Sequence, residues 1–145
     1  MPVMKATVKW VEDALFIGEP ASGHVVVMDG PPAGGGRNRG VRPMEMLLLG
    51  MGGCSAYDVV DILRKGRQSV TGCEVEVRAG RAAKPPRVLT EIHLHFRVSG
   101  DRLTAKRVQR AVRLSAEKYC SATLMLAASA AVTHSFEVVG QAAAP

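Results

Sequence analysis

The stretch LLLGMGGCSAYDVV (47–60) decides the fold, because it forms the middle of a helix predicted over residues 43–66. Proline is favoured at the first helical position, here Pro43, and the basic Arg64 and Lys65 suit the negative end of a helix dipole. At the usual rise such a helix is more than about 30 Å long. Its first half is apolar nearly all round, which indicates burial on most sides and favours a partner subunit.

Two adjacent glycines, Gly52 and Gly53, directly precede Cys54 in this helix. Each glycine costs roughly 1 kcal/mol relative to alanine inside a helix. Either something approaches the backbone closely at this point, or the glycines are tolerated and Cys54 is a small core residue. Asp58 lies one turn further on, where a carboxylate disfavours a thiolate. The residues alone therefore favour neither a core thiol nor a reactive one.

The segments flanking the helix predict a single α+β domain over residues 1–145. Alternation of apolar and polar residues predicts the strands, and Thr104 and Ser121 are the predicted N-caps of the second and third helices. The predicted order is βββ-α-ββ-αα-β. It comprises a β-meander at 1–30, a loop at 31–42, the central helix at 43–66, a β-hairpin at 72–99, two helices at 104–130 and a final strand at 131–139.

Composition argues against several classes of protein. The formal net charge is +6, but the basic residues are scattered and only 4% of residues are aromatic, so a nucleic-acid-binding surface is not predicted. No stretch looks long and apolar enough to cross a bilayer, and residues 1–10 lack the apolar core of a secretory signal. We therefore expect a cytoplasmic protein that binds neither nucleic acid nor membrane.

The three cysteines do not predict a disulfide framework or a structural metal site. Their number is odd and their spacing wide, and the short Cys-x-x-Cys spacing of zinc sites is absent. We therefore predict no metal and no cofactor. Cys120 lies at the start of the third predicted helix, where unpaired N–H groups favour a thiolate, whereas Cys73 opens a strand and is a predicted bystander. His93 and His95 share a strand face, which we interpret as solvated or covered by a partner subunit.

Two segments, RPMEMLLLGMGGCSAYDVV (42–60) and KYCSATLML (118–126), resemble the cysteine segments of the OsmC/Ohr family, thiol-dependent proteins of hydroperoxide defence. The resemblance extends from about residue 5 to residue 139, and its details are most similar to the YhfA-like branch. It implies an OsmC-like fold and an intertwined homodimer whose long helices pack centrally. In such a dimer Gly52 and Gly53 would let another backbone approach the turn that carries Cys54.

The resemblance also implies a chemistry. Cys54 would be the peroxidatic cysteine and Cys120 the resolving one, in an enzyme that reduces organic or lipid hydroperoxides or hydrogen peroxide. An external dithiol, lipoyl-type in the hydroperoxide-specific members, would then reduce the resulting disulfide. Met44, Met51 and Tyr57 could line an apolar pocket beside the thiol. The alternative is a non-catalytic small-molecule-binding or redox-sensing module that keeps the fold and the cysteines.

One departure from the family pattern favours that alternative. Active members have glutamate directly after the helix-starting proline, where it pairs with an arginine, but here Met44 follows Pro43 and the glutamate is Glu45. Glu45 and Cys54 are nine residues apart, which in a regular helix is a rotation of roughly 900° about the axis and a rise of about 13 Å along it. The two side chains therefore lie on opposite sides of the helix, and Glu45 cannot touch Cys54 within one subunit. Glu45 therefore acts across a dimer interface or only suits the helix dipole. Arg42 is the candidate activating arginine by position.

Overall fold

The computed structural model describes residues 3–140, and within them the predicted element order βββ-α-ββ-αα-β is confirmed. A 3₁₀ turn precedes the first helix, and a five-residue π-helical turn separates the second helix from the third. The strands are β1 (Ala6–Glu12), β2 (Leu15–Pro20), β3 (Val26–Met28), β4 (Ser69–Arg81), β5 (Leu89–Asp101) and β6 (Ala131–Gly140); the helices are α1 (Pro43–Lys65), α2 (Ala105–Leu114) and α3 (Ser121–Leu126).

The chain divides into two compact units, of which the first ends at Leu47 and the second begins at Leu48. The first unit contains the antiparallel sheet β1-β2-β3, which is the predicted meander. The second contains a sheet in the order β4-β5-β6, in which β5 runs antiparallel to β4 and parallel to β6. The parallel pair is possible because α2, the π-helical turn and α3 return the chain between β5 and β6.

A buried carboxylate organises the loop of the first unit. Asp29 is 1% exposed and accepts hydrogen bonds from the backbone N–H groups of Gly30, Arg37 and Arg39. The Arg39 side chain also donates to it, at 2.8 Å from Nε. This hydrogen bond and the backbone donors outweigh the effect of burial and hold the pKa of Asp29 well below its usual range. The glycine-rich segment 31–42 is thus anchored to the end of β3.

The core of the second unit lies on one face of β5. Ile92, Leu94, Phe96 and Val98 alternate along this strand and are at most 1% exposed, as the alternation predicted. The helices contribute further completely buried side chains: Met51 and Val59 from α1, and Val108 and Ala111 from α2.

Helix α1 starts at the predicted Pro43 and ends at Lys65, one residue before the predicted end, but it contradicts one expectation. By length and composition it is apolar enough to cross a membrane, so the prediction that no stretch meets this criterion is wrong. The reason is that uncharged small residues and leucines fill most of the helix between Glu45 and Asp58. The core helix of a soluble protein passes the same test, so the finding is weak evidence for a membrane. Only 22% of the apolar stretch is buried within the chain, and Leu49 is 60% exposed.

Several boundaries differ from the prediction by a few residues. The predicted hairpin at 72–99 is longer, because β4 starts at Ser69 and β5 ends at Asp101. Strand β6 extends to Gly140 rather than ending at 139. Thr104 is confirmed as the N-cap of α2, since its side-chain oxygen accepts a hydrogen bond from the backbone N–H of Arg107 at 3.2 Å.

Candidate functional site

The structure brings the two predicted cysteines together in the second unit. Cys54 lies on α1, and Cys120 lies immediately before α3. Their sulfur atoms and a carboxylate oxygen of Asp58 all lie within 4.8 Å of one another. Both cysteines are free thiols; Cys54 is partly exposed and Cys120 is 0% exposed. The site therefore combines a thiol that faces solvent in part, a buried thiol and a carboxylate.

The π-helical turn Ser115–Tyr119 positions Cys120. The backbone N–H of Cys120 donates to the carbonyl oxygen of Ser115 at 2.8 Å, which closes that turn. Such turns frequently occur at functional sites. Cys120 then caps α3, since its sulfur accepts a hydrogen bond from the backbone N–H of Thr123 at 3.4 Å. The prediction that Ser121 is the N-cap is wrong, because the extended backbone needed at a cap occurs at Cys120 and Ser121 is already helical.

Three buried hydroxyl groups surround the thiol pair. Ser55 Oγ lies 3.3 Å from Cys120 Sγ and 3.1 Å from Thr123 Oγ1. Ser115 Oγ donates to Asp58 Oδ2 at 3.2 Å. Sequence reasoning did not identify these hydroxyls as part of the site. Thr123 could have been found, because it lies three residues after Cys120, which is the spacing between an N-cap and the N–H group that it accepts from. No local pattern identifies Ser115, because only the π-helical turn places it near the thiols.

The surroundings shift the two thiol pKa values in opposite directions. The backbone N–H of Ala122 lowers the pKa of Cys54, but burial, the interaction with Cys120 and the negative charge of Asp58 together raise it. Burial raises the pKa of Cys120, yet the hydrogen bonds from the surrounding hydroxyls, the Thr123 backbone and Cys54 outweigh it, so the net shift is downward. The surroundings therefore favour the thiolate form at Cys120 more than at Cys54.

Glu45 and Arg42 form the start of α1. The Glu45 carboxylate accepts a hydrogen bond from the backbone N–H of Arg42 at 2.8 Å, which is the arrangement of the glutamate in a capping box. The Arg42 guanidinium donates to Asn38 Oδ1 at 2.9 Å and to the carbonyl oxygen of Gly40 at 3.2 Å. These contacts fit the structural role for Glu45. A role for either residue in activating a thiol stays a prediction.

The glycines before Cys54 have different surroundings. A Cβ atom added to Gly52 would lie 3.1 Å from Val77 Cγ2, so this glycine allows α1 to pack closely on β4. A Cβ atom on Gly53 would meet nothing within 4 Å in the described chain. Close approach therefore explains Gly52, and within the chain the approaching group is a side chain rather than a backbone.

The candidate pocket residues occupy different environments. Met51 is completely buried in the core, Met44 is half-buried, and Tyr57 is 75% exposed. Tyr57 lines a cavity of about 420 Å³ that also reaches Gly53 and Cys73. A second cavity, of about 430 Å³, opens at the carboxylate beside the thiols; it is lined by Asp58, Asp61, Ile62, Lys65 and Tyr119.

The other candidate residues, Cys73, His93 and His95, make none of the described contacts with Cys54, Asp58 or Cys120. Cys73 is half-buried, and burial raises the pKa of its thiol, which agrees with the bystander interpretation. His93 and His95 share a face of β5 as predicted and both contact Ser135 Oγ of β6, at 2.8 and 2.7 Å. Their ring nitrogens are thus engaged in hydrogen bonds across the sheet.

Comparison with known proteins identifies the relatives of this chain. A family model described as OsmC-like protein matches residues 34–135. Protein YhfA of Escherichia coli (strain K12) is 53% identical over 136 residues, covering 94% of this chain and 98% of the relative.

Solved structures extend the comparison to the fold. A hypothetical protein from Aquifex aeolicus VF5 is 31% identical with a TM-score of 0.85, covering 97% of this chain and 99% of that one. An organic hydroperoxide resistance protein from Elizabethkingia anophelis shares the fold at 14% identity and a TM-score of 0.75, covering 96% and 98%. The family-model match and the identity to YhfA together show that the chain belongs to the OsmC-like family.

Proposed function

We propose that this protein reduces hydroperoxides, either organic and lipid-derived ones or hydrogen peroxide, through the pair Cys54 and Cys120. The observation that carries the proposal is the meeting of their two sulfur atoms within 4.8 Å, although the residues come from separate elements. Two thiols at this distance can form a disulfide after small side-chain rotations. Membership of the OsmC-like family supports the proposal, as does the hydroperoxide-resistance name of the Elizabethkingia anophelis neighbour.

In the proposed reaction, the thiolate of Cys54 attacks an oxygen of the hydroperoxide. An S–O bond forms, the O–O bond breaks, and the departing alkoxide takes up a proton to leave as an alcohol, or as water from hydrogen peroxide. The sulfur of Cys120 then attacks the sulfenic acid, which forms the disulfide and releases water. An external dithiol reduces the disulfide and becomes a disulfide itself.

The exposure of Cys54 and the lowered pKa of Cys120 support the two proposed roles. Cys54 is partly exposed whereas Cys120 is completely buried, so a hydroperoxide arriving from solvent reaches Cys54 first. The lowered pKa of Cys120 favours its thiolate, which is the form that attacks the sulfenic acid of Cys54 in the resolving step. This assignment agrees with the roles that the family resemblance implies.

The assembly and the reductant complete the proposal. A homodimer in which the α1 helices of two subunits pack together would cover Leu49 and Tyr57, which are 60% and 75% exposed in the chain. We place the protein in the cytoplasm, where an external dithiol can reduce it. Sedimentation equilibrium should give twice the mass of the chain; a monomer at micromolar concentration would contradict the dimer.

The test is to mix the reduced protein with an organic hydroperoxide or hydrogen peroxide and to follow oxidation by rapid quench and peptide mass mapping. We expect Cys54 to be oxidised first and a Cys54–Cys120 disulfide to follow. Cys54→Ser should abolish peroxide consumption, and Cys120→Ser should trap oxidised Cys54 and slow recycling. Cys73→Ser is the matched control and should behave as the wild type. Full peroxide consumption by Cys54→Ser would exclude the mechanism.

A second function, a redox-sensing or non-catalytic binding module, is favoured by one specific observation. The more exposed thiol, Cys54, is the one whose pKa is raised. The same experiment separates the two functions, because the rate of Cys54 oxidation is compared with that of a free thiol at the same pH. A rate no faster than the free thiol would favour the second function over the peroxidase.

A further inference from the structure

We propose that the reduced protein binds one zinc ion per chain between Cys54, Asp58 and Cys120, with a water molecule as the fourth ligand. Thiolate sulfur and carboxylate oxygen are both ordinary zinc ligands. One such atom from each of these three residues lies within 4.8 Å of the other two. Three protein ligands and a water are the composition of an open, exchangeable zinc site rather than a closed structural one.

The geometry requires only a small contraction. Tetrahedral zinc with bonds of about 2.3 Å to sulfur and about 2.1 Å to oxygen separates its ligand atoms by roughly 3.6–3.8 Å. The present separations exceed this by about 1 Å at most, which side-chain rotation can supply. Cys54 and Asp58 are four residues apart on α1 and so lie on the same helix face. Cys120 closes the site from outside that helix, which is why no short cysteine spacing predicted it.

The atoms around the cluster hold its ligands in place. Asp58 Oδ2 accepts a hydrogen bond from Ser115 Oγ at 3.2 Å, which helps to orient this carboxylate. Cys120 Sγ contacts the backbone N–H of Thr123 at 3.4 Å and Ser55 Oγ at 3.3 Å. Outer-shell hydrogen bonds of this kind orient metal ligands. The cavity of about 430 Å³ that Asp58 lines offers a path for the ion and for the water ligand.

Charge and proton balance are straightforward. Binding replaces the protons of the two thiols, so that one zinc ion enters and up to two protons leave. The two thiolates and the Asp58 carboxylate carry three negative charges against the two positive charges of zinc. With both sulfur atoms ligated, Cys54 would not attack a hydroperoxide. Zinc would therefore switch off turnover; this consequence rests on the proposed function, whereas zinc binding itself does not.

The experiment is a zinc titration of the reduced, metal-free protein against a chromophoric chelator, with proton release measured in weak buffer. We expect one zinc per chain and loss of binding after oxidation to the disulfide. Cobalt(II) should give the intense absorption of a thiolate-ligated tetrahedral ion. Cys54→Ser, Asp58→Asn and Cys120→Ser should each weaken zinc binding by at least about 100-fold.

Two matched controls test the assignment within the same unit. Cys73→Ser removes a thiol outside the cluster, and Glu76→Gln removes a carboxylate of β4 that instead pairs with Arg78 at 2.8 Å. Both should bind zinc as the wild type does. Binding that survives loss of either clustered cysteine, or that depends on Cys73, would overturn the proposal, as would no binding by the reduced wild type. Peroxide consumption is measured separately, on protein from which a chelator has removed all metal. If this metal-free protein does not consume peroxide, the proposed function is refuted, and the result of the zinc titration is unaffected.

Discussion

Replacing the adjacent Gly52 and Gly53 with alanine, one at a time, should change the free energy of unfolding differently. Gly53→Ala should raise it, whereas Gly52→Ala should leave it unchanged or lower it. Both glycines lie in the interior of α1, so the intrinsic gain in helix propensity is about 1 kcal/mol for each. At Gly53 a Cβ atom meets nothing within 4 Å among residues 3–140, so the whole gain should appear. Gly53→Ala is therefore expected to stabilise the chain by about 1 kcal/mol, or roughly 4 °C in Tm.

At Gly52 the added methyl group would lie 3.1 Å from Val77 Cγ2, closer than ordinary van der Waals contact. Overpacking of this kind costs typically 1–3 kcal/mol, which equals or exceeds the propensity gain. Gly52→Ala should therefore be neutral to destabilising by about 2 kcal/mol. The double variant Gly52→Ala/Val77→Ala should recover part of the propensity gain relative to Val77→Ala alone, because the contact is relieved.

Urea unfolding followed by circular dichroism measures these differences, provided that the m-value is unchanged. Equal effects of Gly52→Ala and Gly53→Ala would refute the close-packing explanation for Gly52. A destabilising Gly53→Ala, accompanied by a loss of dimer in sedimentation, would show that a partner subunit covers Gly53.

Two further predictions concern ionisation. Cys120→Ser should lower the pKa of Cys54, because the substitution removes the effects of Cys120 that raise this pKa and keeps the Ala122 N–H that lowers it. The pH dependence of Cys54 alkylation measures this pKa. An unchanged midpoint in the variant would contradict the prediction. Asp29→Asn should destabilise the protein near neutral pH but progressively less in acid. The hydrogen bond from Arg39 lowers the pKa of Asp29, so its stabilisation is present above the unfolded pKa of about 3.9 and is lost as pH falls through the folded pKa. Urea unfolding at about pH 6 and about pH 3 tests this, and a difference that stays constant argues against it.

Much of the fold was predictable because its signals are local. Proline at the start of α1, basic residues at its end and the alternation along β5 each act within a few residues, and the structure has these elements where expected. The N-cap of α3 was misassigned because the choice between Cys120 and Ser121 depends on backbone angles set by the preceding π-helical turn. That turn has no periodic signature in the sequence.

The candidate site was predictable only in part. Cys54 and Cys120 were singled out by resemblance, and the thiolate-favouring position of Cys120 was predicted from its place before a helix. The hydroxyl groups of Ser55, Ser115 and Thr123 were not, because hydroxyl residues are common and their convergence depends on how α1 packs against the π-helical turn and α3.

The sequence by itself determined the order of the elements, the long apolar helix and the presence of two cysteines in the segments typical of the family. These follow from propensity, periodicity and residue type, which are properties of neighbouring residues. Only the tertiary structure decided that both sulfur atoms meet one carboxylate of α1 within 4.8 Å, and that their pKa values move in opposite directions. Distances and desolvation depend on which distant segments pack together, and no local pattern encodes them.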